Sequence, residues 1–186
     1  MTSGPVLWVK SLARSLRAGA VPRERFRLAH PNLSMANGVI FSGDPHRADI
    51  GSNVTIAGPT VINVANGGGL TGSHLQIGDR TYIGEFNNIR CAGAPIRIGA
   101  DCLISQHITI VGTNHGIEPG TPIARQPWEG DGVVIGDDVW IGAGCVIVAG
   151  ARIGSGSVVA ANSVVRGVVE PGSIVAGAPA KLIRMR

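Results

Sequence analysis

A branched aliphatic residue recurs at every sixth position through most of residues 50–170 of this 186-residue chain, and this repeat restricts the fold more than any other feature. The longest unbroken run starts at Ile135 and continues at Ile141, Ile147, Ile153, Val159 and Val165. Shorter runs with the same step occur in 50–62, 77–89 and 98–110. An ordinary strand ends after about five or six residues, whereas this pattern continues far longer. The repeat therefore predicts many short strands in one fixed register.

Glycine follows the aliphatic residue in several repeats, for example at Gly136, Gly142 and Gly154. Glycine at regular intervals favours tight corners, so three hexapeptides predict one triangular coil of about eighteen residues. Such coils bury their aliphatic face only by stacking on one another. We therefore predict an all-β fold, a parallel β-helix shaped as a prism. A β-sandwich is disfavoured, because its turns would recur about every 8–12 residues without a fixed register.

The repeat is interrupted most strongly between Ile110 and Ile135. The extra residues, 112–132, are rich in proline, glycine and polar side chains, so they predict a loop that leaves the prism. Long loops on a rigid scaffold commonly carry function. We expect the active site of the chain, if it has one, at this loop.

The residues before the repeat predict a short amphipathic helix at about 5–17. We expect this helix to cap the first coil, although a helix lying on a membrane surface is an alternative. The predicted organisation is a helical or extended cap over 1–40, a β-helix over 41–172 and a C-terminal segment over 173–186.

The three cysteines, Cys91, Cys102 and Cys145, are odd in number and lack C-x-x-C spacing. This pattern disfavours a disulfide framework and a zinc site, so we predict a cytoplasmic protein without a metal. The Arg-rich start of the chain also fits a transit peptide as an alternative.

The net charge of +4 is concentrated at the N-terminus, where residues 1–27 hold six Lys and Arg against one acidic residue, Glu24. The repeat region is not basic, so nucleic-acid binding is disfavoured. The apolar runs are also shorter than the roughly 20 residues that cross a bilayer, so no membrane span is predicted.

The hexapeptide pattern, the segment 135–144 and the ending 174–184 resemble the hexapeptide-repeat acetyltransferases. The similarity is greatest to the maltose and galactoside O-acetyltransferases, the nodulation-factor acetyltransferases and the polysaccharide-modifying enzymes, and it covers about 50–186. The resemblance implies a left-handed β-helix and a homotrimer. It also implies that acetyl coenzyme A, the co-substrate, lies in the cleft between neighbouring prisms.

The resemblance also implies a catalytic residue, His115. In that family the catalytic histidine lies at the root of the extruded loop, and the segment 109–116, Thr-Ile-Val-Gly-Thr-Asn-His-Gly, matches this context without a gap. An alcohol is a poor nucleophile at neutral pH, so its attack on a thioester needs a base, and imidazole suits that role. We expect His115 to be the general base.

For the acceptor, the resemblance implies Asn87, because Phe86-Asn87 matches a step of the family. It also implies a carboxylate in the loop that orients the histidine, for which Glu129 and Gln126 are candidates. Trp128 of the same loop is a further predicted acceptor contact.

For coenzyme A, the resemblance implies small residues on successive coils and basic residues near the C-terminus. Small side chains let the backbone approach the pantetheine arm, and cations pair with phosphates. The matching positions are Trp140, Ala143, Ala161, Arg166, Lys181 and Arg184.

The predicted function is transfer of the acetyl group of acetyl coenzyme A to a hydroxyl of a sugar or polysaccharide precursor. N-acetylation of an aminosugar or antibiotic, and a non-enzymatic assembly role, are the alternatives. A γ-type carbonic anhydrase, with zinc held by His74, His107 and His115, is disfavoured because the spacing of 107 and 115 does not match that family.

Overall fold

The computed structural model describes residues 21–186, which form a three-sided prism of parallel sheets. The predicted helix at 5–17 lies outside the described residues. Within them, no helix has the length and apolarity needed to cross a membrane. A two-stranded hairpin, β12 (Asn114–His115) and β13 (Trp128–Glu129), projects from the prism, and Pro45–Arg47 and Ile123–Arg125 form short 3-10 helices.

The three faces of the prism are sheets A, B and C, and each coil contributes one strand to each sheet in turn. Sheet A contains β1 (Ser34–Met35), β4 (Thr55–Ile56), β7 (Tyr82–Ile83), β10 (Leu103–Ile104), β15 (Trp140–Ile141), β18 (Val158–Val159), β21 (Ser173–Ala176) and β22 (Lys181–Met185). Sheet B contains β2 (Ile40–Gly43), β5 (Val61–Val64), β8 (Asn88–Arg90), β11 (Thr109–Val111), β16 (Val146–Ile147) and β19 (Val164–Val165). Sheet C contains β3 (Ala48–Ile50), β6 (His74–Ile77), β9 (Pro95–Ile98), β14 (Val133–Ile135), β17 (Arg152–Ile153) and β20 (Val168–Val169).

The repeated aliphatic residues form the core, because each lies over its counterpart in the next coil. In sheet B, Ile62 pairs in register with Ile89, and Ile89 with Ile110. All three side chains are fully buried. Burial of each such side chain contributes about 1.5–3 kcal/mol, and it requires the neighbouring coil to be present.

Glycine is required at the corner between sheets C and A, because successive coils approach closely there. A Cβ added at Gly78 would lie 2.5 Å from the amide nitrogen of Ala100 and 2.6 Å from the carbonyl carbon of Gly99. These obstacles are backbone atoms, which cannot rotate away. The Ile-Gly step of the repeat is therefore a packing requirement as well as a turn preference.

Helix α1 (Val21–Ala29) closes the first end of the prism. Its Phe26 is fully buried and stacks on Phe41 with ring centroids 4.2 Å apart. The parallel coils begin at Ser34, before the predicted start at residue 41, and the last parallel strand ends at Ala176. Strand β22 then turns back antiparallel to β21.

Substitution Gly78→Ala should lower the free energy of unfolding by about 1–3 kcal/mol, because the new methyl group displaces the next coil. The matched control is Gln76→Ala on the exposed face of the same strand, which should stay within about 0.5 kcal/mol of the wild type. Urea unfolding followed by circular dichroism measures both. Equal stability of the two variants would contradict the close-approach explanation.

Candidate active site

The extruded loop leaves the prism at the corner between sheets B and C, as predicted. It departs after β11 and returns to β14, and the amide of Gly132 donates a hydrogen bond to the carbonyl oxygen of Gly112 that closes its base. The guanidinium of Arg152 donates to the carbonyl oxygens of Asp131 and Gly132 and holds the returning segment. The loop therefore has a fixed root on the rigid coils.

Gln126 organises the interior of the loop. Its Nε2 donates to the carbonyl oxygens of Glu118, at 2.9 Å, and Thr121, at 2.7 Å, and its Oε1 accepts from the amide of Glu118 at 2.8 Å. The side chain is buried and its polar atoms are occupied. We therefore leave Gln126 out of the proposed acceptor site and assign it to loop structure.

His115 and Trp128 face each other across the hairpin. They are register partners in the antiparallel pair β12–β13, so their side chains lie on the same face. The two ring centroids are 5.4 Å apart with an interplanar angle of 69°, an edge-to-face contact. His115 is exposed, and its ring nitrogens make no hydrogen bond within 21–186.

Two glycines hold the indole of Trp128 in place. The amide of Trp128 donates to the carbonyl oxygen of Gly68 at 2.9 Å. A Cβ at Gly67 would lie 2.5 Å from the indole ring, and one at Gly68 would enter the ring itself. Gly68 also has φ of +59°, which favours glycine. The loop between β5 and β6 therefore sets the position of Trp128. Because the indole packs against His115, this loop also fixes the surface beside the imidazole.

His115 and Trp128 border a cavity of about 370 Å³ at this corner. Three chain segments meet there: the end of β5 with the following loop, the end of β8, and the root of the extruded loop. The remaining lining residues are Asn63, Ala65, Asn66, Arg90, Ala92, Val111, Thr113 and Asn114. Most of the polar groups are amides or a hydroxyl, which can bind hydroxyl groups of a ligand.

Glu129 does not face His115. It is the register partner of Asn114, and successive residues of a strand point to opposite faces. Glu129 instead borders a different cavity, with Asp131 and Ala149. Neither predicted orienting residue therefore contacts the imidazole within the part of the chain that the structure describes.

Asn87 lies inside the prism rather than in the cavity. Its exposed fraction is 2%, its Nδ2 donates to the carbonyl oxygens of Gly84 and Ser105, and its Oδ1 accepts from the amide of Ile108. These bonds tie one coil to the next. In this structure Asn87 therefore has a structural role, and its side chain does not line the cavity.

The small residues predicted for coenzyme A do lie together. Ala143 and Ala161 occupy the corner between sheets A and B on successive coils, and the amide of Asn162 donates to the carbonyl oxygen of Ala143. Trp140 is half exposed on sheet A, where its Nε1 donates to the hydroxyl of Ser105 at 3.2 Å. Arg166, Lys181 and Arg184 are exposed, and none forms an ion pair within 21–186.

His115 and the small residues predicted for coenzyme A lie on different corners of one chain, whereas Arg166, between β19 and β20, lies at the same corner as His115. His115 is at the corner that follows sheet B, whereas Ala143 and Ala161 are at the corner that precedes it. A hexapeptide side of the prism spans on the order of 15–20 Å. One prism therefore does not bring the predicted base and the predicted cofactor corner into contact.

The cysteines and the other histidines show no chemistry of their own. All three thiols are free and buried, and burial raises the pKa of Cys91 to about 12 and raises the pKa values of Cys102 and Cys145. His74 bonds to Asp49, and His107 stacks on Phe86. Among the described residues, no cluster of three metal-ligating side chains exists.

Sequence reasoning missed Asn63, Asn66 and Arg90 as lining residues. Asn63 and Arg90 each follow the buried isoleucine of a sheet B strand, and they are register partners. Val111 occupies the same position one coil later, just before the loop departs. The register of the repeat therefore places Asn63, Arg90 and Val111 in one outward-facing column that ends at the root of the loop.

Comparison with known proteins supports the repeat. The bacterial transferase hexapeptide family, defined by six repeats, matches residues 132–167. Residues 132–167 therefore carry the hexapeptide repeat of this family. The resemblance to hexapeptide-repeat acetyltransferases and the predicted left-handed parallel β-helix are both confirmed.

Two curated relatives and one solved structure illustrate the similarity of this hexapeptide-repeat protein. WbbJ of Escherichia coli K12, described as a lipopolysaccharide biosynthesis O-acetyltransferase, is 31% identical over 119 residues, 60% of this chain and 57% of WbbJ. The acetyltransferase Rv3034c of Mycobacterium tuberculosis is 33% identical over 172 residues, 87% of this chain and 55% of that protein. The chain thus spans little more than half the length of either relative.

The solved structure is a hexapeptide-repeat acetyltransferase of Vibrio cholerae in complex with acetyl coenzyme A. It is 29% identical to this protein, with a TM-score of 0.64. The match covers 99% of this chain and 90% of that chain, so it includes the coils, the loop and the C-terminal segment.

Substitution Gly68→Ala should displace the indole of Trp128, because the new methyl group overlaps the ring. Gly69→Ala is the matched control, since φ at Gly69 is also positive, at +86°, but nothing lies within 4 Å of an added Cβ. Both variants carry a backbone cost of about 1–2 kcal/mol. Only Gly68→Ala should shift tryptophan emission to longer wavelength and change the near-ultraviolet circular dichroism. Identical spectra for the two variants would refute the proposed support of Trp128.

Proposed function

We propose that this protein transfers the acetyl group of acetyl coenzyme A to a hydroxyl of a sugar or polysaccharide precursor, with His115 as the general base. The observation that carries the proposal is the exposed imidazole in the cavity at the loop root. Of the lining residues in the described chain, His115 alone has a side chain of the type that serves as a general base. The neighbouring amides and the edge of Trp128 suit the hydroxyls and the apolar face of a sugar ring.

The reaction needs only proton transfer and positioning. As the acceptor oxygen attacks the thioester carbonyl carbon, the imidazole of His115 takes the hydroxyl proton. The tetrahedral intermediate then collapses, the C–S bond breaks, and the proton passes to the departing sulfur. No covalent enzyme intermediate is needed, which agrees with three buried thiols whose pKa values are raised.

Acetyl coenzyme A would lie along the corner formed by Ala143 and Ala161. Small side chains there let a ligand approach the backbone, and a nearby indole, Trp140, offers an apolar surface. Arg166, Lys181 and Arg184 are cations without an acidic partner in the described chain, so they can pair with phosphates.

We further propose that the protein acts as a homotrimer in which a second chain completes the site. The separation of His115 from the Ala143–Ala161 corner supports this arrangement. An exposed apolar column on sheet A also favours a covered surface, because Tyr82, Leu103 and Trp140 are register partners on successive coils. The free cysteines and the need for acetyl coenzyme A support a cytoplasmic location.

A hydroxyl acceptor is favoured over an amine because the description of WbbJ names O-acetyl transfer. N-acetylation of an aminosugar would use the same base, so acceptor chemistry must be measured. A purely structural assembly role does not explain a cavity that joins an exposed imidazole to polar groups from three segments.

The test is coenzyme A release from acetyl coenzyme A with a panel of sugars and aminosugars. His115→Ala should lower kcat/KM by about 10²–10⁴-fold, because the hydroxyl loses its base. His46→Ala is the control, since His46 is exposed and lies away from the cavity, and it should stay within about 2-fold of wild type. Unchanged turnover in His115→Ala would overturn the mechanism, and a product acetylated on the amine of an aminosugar, identified by mass spectrometry or NMR, would overturn O-acetylation.

A further inference from the structure

Arg90 brings a positive charge to the cavity that contains His115. It is the last residue of β8, and its register partners Asn63 and Val111 line the same cavity. Its guanidinium makes no hydrogen bond or ion pair with any residue of the described chain.

Three other arginines of the described chain have clear structural partners. Arg80 binds Asp101 through two bonds of 2.7 Å, Arg152 holds the loop carbonyls, and Arg186 binds Asp138 at 2.7 Å. Arg90 has no such role. The cavity also has no carboxylate among its described lining residues, so nothing there neutralises the guanidinium.

The side-chain amides beside Arg90 offer both a free hydrogen-bond acceptor and a free hydrogen-bond donor. Nδ2 of Asn63 donates to the hydroxyl of Ser42, which leaves its Oδ1 as an acceptor. Oδ1 of Asn66 accepts from the amide of Ser73, which leaves its Nδ2 as a donor. The cavity therefore combines one cation with groups that bind sugar hydroxyls.

We propose that Arg90 binds a carboxylate or phosphate group of the acceptor, so that the preferred acceptor is an anionic sugar rather than a neutral one. This inference rests on the proposed acetyl transfer, whose acceptor it specifies. A guanidinium binds either anion through two parallel N–H bonds, which add geometric specificity as well as energy. Arg90 is thus a specificity-determining residue that lines the same cavity as His115.

The first measurement compares acceptors that differ at C6. The methyl glycoside of glucuronic acid (methyl glucuronide) and glucose 6-phosphate carry an anionic group there, where methyl glucoside and glucose carry a hydroxyl. The wild type should favour the better anionic sugar over its neutral counterpart by about 10–100-fold in kcat/KM, the range expected for one charged hydrogen-bonded pair. The anionic sugar with the higher kcat/KM shows whether the site prefers a carboxylate or a phosphate. Preference for both neutral sugars would overturn the inference.

The second measurement uses Arg90→Gln, with Arg90→Lys to test retention of charge. Arg90→Gln should raise KM for the anionic acceptor about 10–100-fold and leave that for acetyl coenzyme A within about 2-fold, whereas Arg90→Lys should recover part of the loss. Arg97→Gln is the control, because Arg97 is exposed one strand later on sheet C and lies outside the cavity. A raised KM for acetyl coenzyme A alone would assign Arg90 to coenzyme phosphate and refute the proposal.

Binding without turnover separates this inference from the proposed function. Titration of tryptophan emission with methyl glucuronide should give saturable binding to wild type and about 10-fold weaker binding to Arg90→Gln. If that holds while no acceptor releases coenzyme A, acetyl transfer fails and the anion site stands. If acetyl transfer depends on His115 but the uronate binds both proteins equally, only the anion site fails.

Discussion

Hydrogen bonding between successive coils is the constraint on which the rest of this structure depends. Each short strand pairs in parallel with the strand one coil away, and only this stacking buries the isoleucine columns. Close stacking in turn excludes a side chain at corner positions such as Gly78 and Gly99. The six-residue period, the glycine positions and the narrow aliphatic core are therefore consequences of one geometry.

The same geometry builds the candidate site. In these sheet B strands the residue that follows the buried isoleucine points outward, so Asn63, Arg90 and Val111 form one column along sheet B. The extruded loop departs where this column ends, and it carries His115 and Trp128 over the column. The rigid prism thus holds the residues on one side of the cavity in fixed positions, while the loop supplies His115, the group proposed to react. Acceptor preference can then change through a few outward side chains without loss of the fold.

The repeat allowed most of the fold to be predicted, because strands, corners and the loop all follow from periodicity. It could not predict α1, which lacks the hexapeptide pattern and is fixed by the stacking of Phe26 on Phe41. Within the site, the loop context pointed to His115, but side-chain direction could not be read for Asn87, which bonds backbone inside the coil. The same applies to Gln126, because its partners are carbonyl groups of a loop whose path the sequence does not specify. The outward position of Arg90 beside the loop root follows from the register of the repeat, although the family resemblance did not indicate it.

The central claim is that His115 of one chain acts on a thioester held by the Ala143–Ala161 corner of its neighbour. Mixed oligomers test it directly. Chains carrying His115→Ala and chains carrying Ala161→Trp, each inactive alone, are unfolded, combined and refolded, and coenzyme A release is measured. The account predicts recovered activity in about a quarter of the sites of a randomly mixed trimer, because an intact histidine meets an intact corner across the interface. Activity no higher than the sum of the two inactive parents, in oligomers shown to contain both chains, would contradict it.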